Sequence, residues 1–321
     1  MSTLSKNKDL RIVFMGTPDF AVGSLARILD AGLNVVGVVT APDRAAGRGR
    51  KVQQSAVKEF AVQHQLRVLQ PVNLKDGGFL EELKSLNANL QVVVAFRMLP
   101  KAVWHMPEHG TFNLHASLLP QYRGAAPINW AIINGETETG VTTFFIDEKI
   151  DTGNIILQAK ERISLEDTAG SLHDRLMQIG ADLVVDTCKQ IAAGTVTVSE
   201  QKESGALKPA PKIHKETCLI DWHAALEDIH NHIRGLSPYP GAWTTIVNNG
   251  VEEPLKIYAT QMEPAKHGLM VGKLIADKKS MKVAVEGGYL NLLELQFSGK
   301  RRMKVNEVLN GLNLDGDAHL R

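Results

Sequence analysis

Short apolar runs rich in β-branched residues recur through the first half of the chain, separated by segments with helical periodicity. The runs are RIVFM at 11–15, VVGVVT at 35–40, QVVVAF at 91–96 and GTFNLH at 110–115. Residues 18–30 place apolar side chains at helical spacing, and Gly32 follows them. Strands that are apolar on both faces and alternate with helices are typical of a parallel sheet covered on both sides. The sequence therefore predicts an α/β, Rossmann-like parallel-sheet domain.

The second half of the chain has a different pattern. A long helix is predicted over 167–192, and the polar segment 195–215, which contains two prolines, is predicted to be a linker. A short helix at 223–234 then precedes four short alternating segments with turn signals such as Asn249-Gly250. This pattern predicts a small antiparallel, OB-like β-barrel. The predicted divisions are a first domain at 1–194, the linker at 195–215 and a C-terminal domain at 216–321.

Composition limits the class of protein. The 321 residues exceed what one core usually organises, and 44% apolar with 22% charged residues is typical of a soluble globular protein. Because 36 Lys and Arg balance 35 Asp and Glu, any basic surface must be local. Cys188 and Cys218 have no metal-type spacing, and no apolar run approaches the ~18 residues of a membrane helix. We expect a cytoplasmic protein with no bound metal and no membrane association.

Several common cofactor and nucleophile motifs are absent from the sequence. The first strand is followed by Gly16-Thr-Pro-Asp, where a dinucleotide fold would carry G-x-G-x-x-G. The chain also lacks a P-loop, an H-E-x-x-H motif and a G-x-S-x-G elbow. A nicotinamide enzyme is therefore disfavoured, and Gly16 is interpreted as a tight turn above the sheet.

Two polar side chains lie at the end of a predicted strand. Asn113 and His115 are two residues apart, so they point to the same face, and ligand sites in α/β sheets lie at the carboxyl ends of strands. Alone, His115 could be a buried histidine bonded to a backbone carbonyl, and Asn113 could cap a turn. As a pair at this position they favour a functional site. Asp151-Thr-Gly follows another apolar strand, TTFFID, although a lone D-x-G is usually only a turn.

Longer segments carry a family resemblance. NLHASLLPQYRG, followed 36 residues after His115 by IDTG, resembles the signature of enzymes that transfer a formyl group from 10-formyltetrahydrofolate. RIVFMGTPDFAV near the N-terminus, APDRAAGRGRKVQQSAVK at 41–58 and GLSPYPGAW at 235–243 are similar to the members of that family that act on methionyl-tRNA. One departure is AFRMLP at 95–100, where many relatives read A-Y-G-x-I-L-P.

The resemblance implies a reaction and a set of site residues. The co-substrate is expected to be 10-formyltetrahydrofolate, and the partner initiator methionyl-tRNA, whose methionine amino group would be formylated for translation initiation by a monomeric enzyme. The expected catalytic residues are Asn113, His115 and Asp151. The expected folate-binding residues are Ser117, Leu118, Leu119, Pro120, Phe96 and Arg97.

A basic segment follows the second strand. Residues 42–58 carry five cations against one anion, which could be a solvated loop but also suits phosphate contact beside the predicted site. The resemblance implies that this segment grips the tRNA acceptor end, through Arg44, Arg48, Arg50 and Lys51. Two basic clusters in the C-terminal domain, at 278–282 and 300–304, could bind nucleic acid or only aid solubility.

The sequence disfavours two other functions and one other mechanism. A formyltransferase acting on a small amine, such as a sugar nucleotide or glycinamide ribotide, is disfavoured by the basic segment and the second domain. A non-catalytic tRNA-binding protein is disfavoured because Asn113, His115 and Asp151 are all present. A serine nucleophile at Ser117 is disfavoured because no nucleophile elbow surrounds it.

Overall fold

The computed structural model describes residues 10–46, 51–203 and 205–321, which form two compact units. The first unit contains the described residues up to Gly124, with two later segments, Thr139–Arg162 and His173–Pro209. The second unit contains Ala125–Glu138, Ile163–Leu172 and Ala210–Arg321. None of the described helices is long and apolar enough to cross a membrane.

A seven-stranded sheet forms the centre of the first unit. The strands of this part of the chain are β1 (Ile12–Gly16), β2 (Val35–Val39), β3 (Arg44–Ala46), β4 (Lys51–Gln53), β5 (Val68–Leu69), β6 (Leu90–Val94), β7 (Thr111–His115), β8 (Glu138–Phe145) and β9 (Ile155–Arg162). The order in the sheet is β5-β2-β1-β6-β7-β8-β9, while β3 and β4 form a separate hairpin. The five strands from β5 to β7 are parallel, which confirms the predicted α/β fold. β8 pairs with β7 in the antiparallel direction. The sequence could not predict this direction, because an apolar run has the same pattern in a parallel and in an antiparallel strand.

The helices follow the strands in the expected alternation. They are α1 (Asp19–Asp30), α2 (Ala56–Gln63), α3 (Gly77–Ser85), α4 (Lys101–Trp104), α5 (Pro127–Ile133) and α6 (Ala169–Ala193), and α6 corresponds to the long helix predicted over 167–192. α1 buries Phe20, Leu25 and Ile28. α2 begins after Ser55, whose side chain accepts a hydrogen bond from the Lys58 amide and so satisfies one free donor of the first turn.

The parallel register brings the strand ends to one edge. Val93 of β6 lies beside Asn113 of β7, and β6 ends beside Leu114. A Cβ on Gly16 would lie 2.5 Å from the Cβ of Ala21 and 3.0 Å from the Val94 carbonyl oxygen, so the β1 turn packs tightly on its neighbours. Because parallel strands end together, the side chains that follow β6 and β7 are placed at a common edge of the sheet.

The second unit is built on an antiparallel barrel. Its elements after α5 are α7 (Leu226–Gly235), β10 (Ala242–Asn248), β11 (Val251–Pro264), β12 (Leu274–Ala276), β13 (Met281–Val285), β14 (Gly288–Phe297), β15 (Met303–Lys304), α8 (Val305–Leu309) and β16 (His319–Leu320). The order is β12-β13-β14-β11-β10-β16, with β15 beside β14. A bridge between Lys273 and His319, with a 2.8 Å bond from the Leu320 amide to the Gly272 carbonyl, nearly closes the sheet. This confirms the predicted C-terminal barrel.

A partly buried histidine gives the second unit a pH dependence. Burial lowers the pKa of His232 more than its backbone contacts with Cys218 and Leu219 raise it. A lowered folded-state pKa means that the unfolded chain binds the proton more readily, so the contribution of His232 to stability is complete above about pH 6.5 and is lost as pH falls below it.

We therefore expect His232→Gln to reduce the loss of unfolding free energy between pH 7.5 and pH 5.5, measured by urea denaturation of the whole chain. His223→Gln, at an exposed position on the same unit, is the control and should leave that pH dependence unchanged. His230, whose pKa burial also lowers, is present in both variants and cancels in the comparison. Identical pH dependence in all three proteins would contradict this prediction.

Candidate active site

Asn113 and His115 project from the carboxyl end of β7 on one face of the strand. His115 is buried and Asn113 is partly exposed. Within the described ranges, the Asn113 side chain forms no hydrogen bond, so its amide donors remain open to a ligand at the sheet edge. The two residues that the sequence singled out as a pair thus lie together at the edge where the fold places ligands.

The two nitrogens of His115 have different surroundings. Nε2 lies 2.8 Å from the Tyr122 carbonyl oxygen, and because a carbonyl can only accept, Nε2 carries a proton and donates it. In the neutral ring the lone pair is then on Nδ1, which lies 4.0 Å from Oδ2 of Asp151. His115 is therefore a buried histidine bonded to a backbone carbonyl, as the non-functional interpretation predicts, but this bond uses only Nε2. Nδ1 is the atom that can exchange a proton.

Asp151 occupies a strained position between β8 and β9. Its φ of 55° lies in the left-handed region, which costs a residue other than glycine on the order of 1–3 kcal/mol. Oδ2 accepts a 3.0 Å hydrogen bond from the Gly124 amide, and the side chain is only 15% exposed. The charge of the carboxylate is therefore held beside the His115 ring by backbone that comes from a different part of the chain.

The turn around Asp151 is closely packed. Asp147 accepts hydrogen bonds from the Lys149 amide at 3.0 Å and from the Thr152 hydroxyl at 2.9 Å, which closes the loop before the next strand. A Cβ on Gly153 would lie 1.7 Å from the Phe145 carbonyl oxygen. Only glycine fits at this position without movement of the backbone, so the D-x-G pattern is a steric requirement of the turn.

Comparison with known proteins places this geometry in a family. Residues 10–188 match the formyl transferase family, and residues 212–313 match the formyl transferase C-terminal domain. The methionyl-tRNA formyltransferase of Flavobacterium johnsoniae is 56% identical over 96% of this chain and 98% of its own. The chain belongs to the methionyl-tRNA formyltransferase family. The family enzyme of Flavobacterium psychrophilum is also 56% identical, over 95% of this chain and 97% of its own.

A solved structure shares the architecture of this family member. A sugar 3N-formyl transferase, crystallised in the presence of dTDP and 5-N-formyl-THF, superposes with a TM-score of 0.64 over 91% of this chain and 99% of its own. The two sequences are 22% identical, so the likeness concerns the fold alone.

The turn that follows His115 is held by Thr142 of β8. The Thr142 hydroxyl donates to the Ser117 carbonyl at 2.6 Å and accepts from the Leu119 amide at 3.2 Å. The buried Ser117 hydroxyl donates to the Gln121 carbonyl at 2.7 Å, so it is committed to the turn and not to His115. The assignment of Ser117, Leu118, Leu119 and Pro120 to folate binding stays a prediction, made on a turn that is hydrogen-bonded to β8 and directly follows β7.

The Arg97 side chain links two loops by hydrogen bonds. Its guanidinium donates to the Val72 carbonyl at 2.8 Å and also to the Pro71 carbonyl, which joins the loop after β6 to the loop after β5. Partial burial lowers the pKa of Arg97, and the positive charge of Arg44 lowers it further. The Phe96 ring lies 5.6 Å from the guanidinium carbon. A direct folate contact of Phe96 and Arg97 stays a prediction.

Where the structure describes the basic segment, it contains the β3–β4 hairpin and the start of α2, whereas the sequence also allowed a solvated loop. Arg44 is exposed at the start of β3, whereas Arg48, Arg50 and the side chain of Lys51 lie outside the described residues. Lys58 belongs to α2, and its amine lies 2.5 Å from Asp43, which also accepts from Gln70 at 2.7 Å. Asp43, the one acid of the segment, is thus paired with Lys58 and does not neutralise the charge of Arg44.

The sequence did not identify two groups that contact the Asp151 turn, the Gly124 amide and Gln201, or Arg123, which bonds to Gln201. Arg123 and Gly124 end the NLHASLLPQYRG segment, whereas Gln201 lies in the polar segment predicted to be a linker. In that segment a backbone bridge joins Ser199 to Ile155 of β9. Among the described residues, no group of three His, Cys, Asp or Glu side chains could hold a metal ion.

Proposed function

We propose that this protein transfers the formyl group of 10-formyltetrahydrofolate to the α-amino group of methionine esterified to initiator tRNA. One observation carries the proposal. Asn113 and His115 share one face at the end of β7, and the Asp151 carboxylate lies 4.0 Å from Nδ1 of His115, in a chain 56% identical to a methionyl-tRNA formyltransferase over 96% of its length.

Charge develops on the formyl oxygen as the reaction begins. The methionine amine attacks the formyl carbon, a new C–N bond forms, and the carbonyl electron pair moves to oxygen. The Asn113 NH₂ group is placed to donate a hydrogen bond to this oxyanion. Such a donor stabilises the transition state more than the ground state, and removal of one typically lowers the rate by about 10²–10³-fold.

We assign to His115 and Asp151 the transfer of a proton from the attacking nitrogen to the leaving nitrogen. The attacking nitrogen must lose a proton, and N10 of the folate must gain one as its bond to the formyl carbon breaks. Nδ1 of His115 is the ring nitrogen without a backbone partner, so it can accept the first proton and return it to N10, directly or through water. The Asp151 carboxylate stabilises the imidazolium that forms in between.

The substrate assignments follow from the surroundings of these groups. We assign folate to the side of the site formed by Ser117–Pro120 with Phe96 and Arg97, and the tRNA acceptor end to the basic segment that begins at Arg44. The small-amine alternative has support only in fold, since the sugar formyl transferase is 22% identical. The non-catalytic alternative is disfavoured because Asn113, His115 and Asp151 lie together in an arrangement suited to formyl transfer.

The deciding experiment is a formyl-transfer assay with 10-formyltetrahydrofolate labelled in the formyl group. The acceptors are charged initiator tRNA, free methionine and a dTDP-amino sugar, each at equal concentration. We expect label on the charged tRNA and none above background on the other two. Label on the amino sugar in preference to the tRNA would replace the proposal with the small-amine alternative.

The basic segment makes a separate prediction. Replacement of Arg44, Arg48 and Arg50 by Ala should lower kcat/KM for charged tRNA without changing KM for the folate. Each lost phosphate contact should reduce the slope of log affinity against log salt by roughly 0.7–0.9. Arg44→Lys keeps the charge but loses the planar fork, so it separates simple charge from bidentate or stacking contact.

The control for the basic segment is a double variant, Arg27→Ala with Arg67→Ala, which removes two exposed cations elsewhere on the same unit. The control should keep the wild-type salt slope. If the triple variant keeps that slope and the wild-type kcat/KM, the segment does not contact tRNA.

A further inference from the structure

One amide side chain holds both sides of the Asp151 turn. Nε2 of Gln201 donates to the Asp151 carbonyl at 2.9 Å and to the Gly153 carbonyl at 2.8 Å. A primary amide has two N–H groups, so each carbonyl receives one. Gln201 is partly buried and is 50 residues from Asp151 in the sequence. The backbone carbonyls on both sides of Thr152 are therefore held by one side chain from outside the turn.

The other end of the Gln201 amide is equally engaged. Oε1 accepts from Nε of Arg123 at 3.1 Å and from Nη2 of Arg123 at 2.7 Å, while Nη1 of Arg123 donates to Glu203 at 2.7 Å. The amide cannot be reversed, because its oxygen would then oppose two carbonyls and its NH₂ would oppose the guanidinium. All four hydrogen bonds made by Gln201 depend on the same orientation.

These contacts form a connected hydrogen-bond network around the Asp151 carboxylate. Arg123 directly precedes Gly124, and the Gly124 amide donates to Oδ2 of Asp151 at 3.0 Å. Gln201 therefore fastens the backbone of Asp151 and, through Arg123, the peptide that holds its side chain. Since the left-handed φ of Asp151 is unfavourable by itself, an outside restraint is needed to keep the carboxylate 4.0 Å from Nδ1 of His115.

We propose that Gln201 is a positioning residue for formyl transfer, which sets the distance between Asp151 and His115 without touching either substrate. The inference rests on the proposed function, because it concerns the catalytic use of Asp151. It predicts that loss of the Gln201 donors lowers kcat and leaves KM for folate and for tRNA near the wild-type values.

Two substitutions test this role. Gln201→Glu keeps the length of the side chain and an acceptor for Arg123, but sets a carboxylate oxygen against two carbonyls. Gln201→Met removes the donors without adding charge. We expect kcat to fall by about 10- to 100-fold in both, since a catalytic group misplaced by 1 Å can lower the rate by about 10²-fold. Gln296→Glu is the matched control, because this barrel glutamine also bonds a backbone carbonyl and a side chain.

A local measurement separates this inference from the proposed function. Hydrogen exchange of the Gly124 amide reports directly on its bond to Asp151 and needs no substrate. We expect exchange at Gly124 to be faster in both Gln201 variants and unchanged in Gln296→Glu. A wild-type protein without formyl transfer would remove the proposed function, whatever the exchange result. An active wild type with unchanged kcat or unchanged Gly124 protection in Gln201→Met would overturn the role of Gln201, as would a loss confined to KM.

Discussion

Asp151→Asn is expected to lower kcat by about 10³–10⁴-fold, the scale seen when the carboxylate partner of a catalytic histidine becomes an amide. The fold should persist for two reasons. Asparagine tolerates left-handed φ better than most residues, and its oxygen can still accept the Gly124 hydrogen bond. With that oxygen kept at the Oδ2 position, the neutral amide lacks the negative charge that would stabilise the imidazolium formed on His115.

The measurement for Asp151→Asn combines single-turnover formyl transfer with thermal melting. Asp182→Asn provides the control, because Asp182 is an exposed acid of the same unit, paired with Arg27. The control should keep the wild-type rate. Near-normal turnover in a folded Asp151→Asn protein would remove the carboxylate from the mechanism, and a large fall in melting temperature would show that its role is structural.

The local part of the site could be predicted from the sequence. Apolar strands alternating with helices predicted the parallel sheet, and the two-residue spacing placed Asn113 and His115 on one face at its carboxyl edge. Which nitrogen of His115 is free could not be predicted. It depends on the Tyr122 carbonyl, which lies against the His115 ring because the intervening turn is folded back and bonded to Thr142.

The long-range part of the site had no sequence signal. Gly124 and Asp151 are 27 residues apart, and Gln201 reaches Asp151 from 50 residues away. A glutamine in a polar stretch resembles any solvated residue, so its role depends on tertiary structure alone. The β3–β4 hairpin was not predicted, because the three-residue strands Arg44–Ala46 and Lys51–Gln53 are too short to show an alternating apolar pattern.

Gly153→Ala should impair both stability and activity, because the added methyl group would clash with the backbone of Phe145. Its Cβ would lie 1.7 Å from the Phe145 carbonyl oxygen and 2.9 Å from the carbonyl carbon, and these are backbone atoms that cannot turn aside like a flexible side chain. Phe145 ends β8, and its amide is bonded to the Asn154 carbonyl, so relief of the clash must move the turn. We expect a loss of about 1–3 kcal/mol in unfolding free energy, the usual effect of overpacking.

Activity should fall by more than the loss of stability accounts for. A turn displaced by about 1 Å carries Asp151 away from Nδ1 of His115, which lowers kcat by about 10²-fold in protein that remains folded. Urea denaturation and single-turnover rates on the same samples separate the two effects. Gly77→Ala is the matched control, because a Cβ there meets no atom within 4 Å, and alanine at the start of α3 should be neutral or slightly stabilising. If Gly153→Ala unfolds no more readily than Gly77→Ala and keeps wild-type kcat, the turn can yield without moving Asp151, and its close packing does not control the position of the carboxylate.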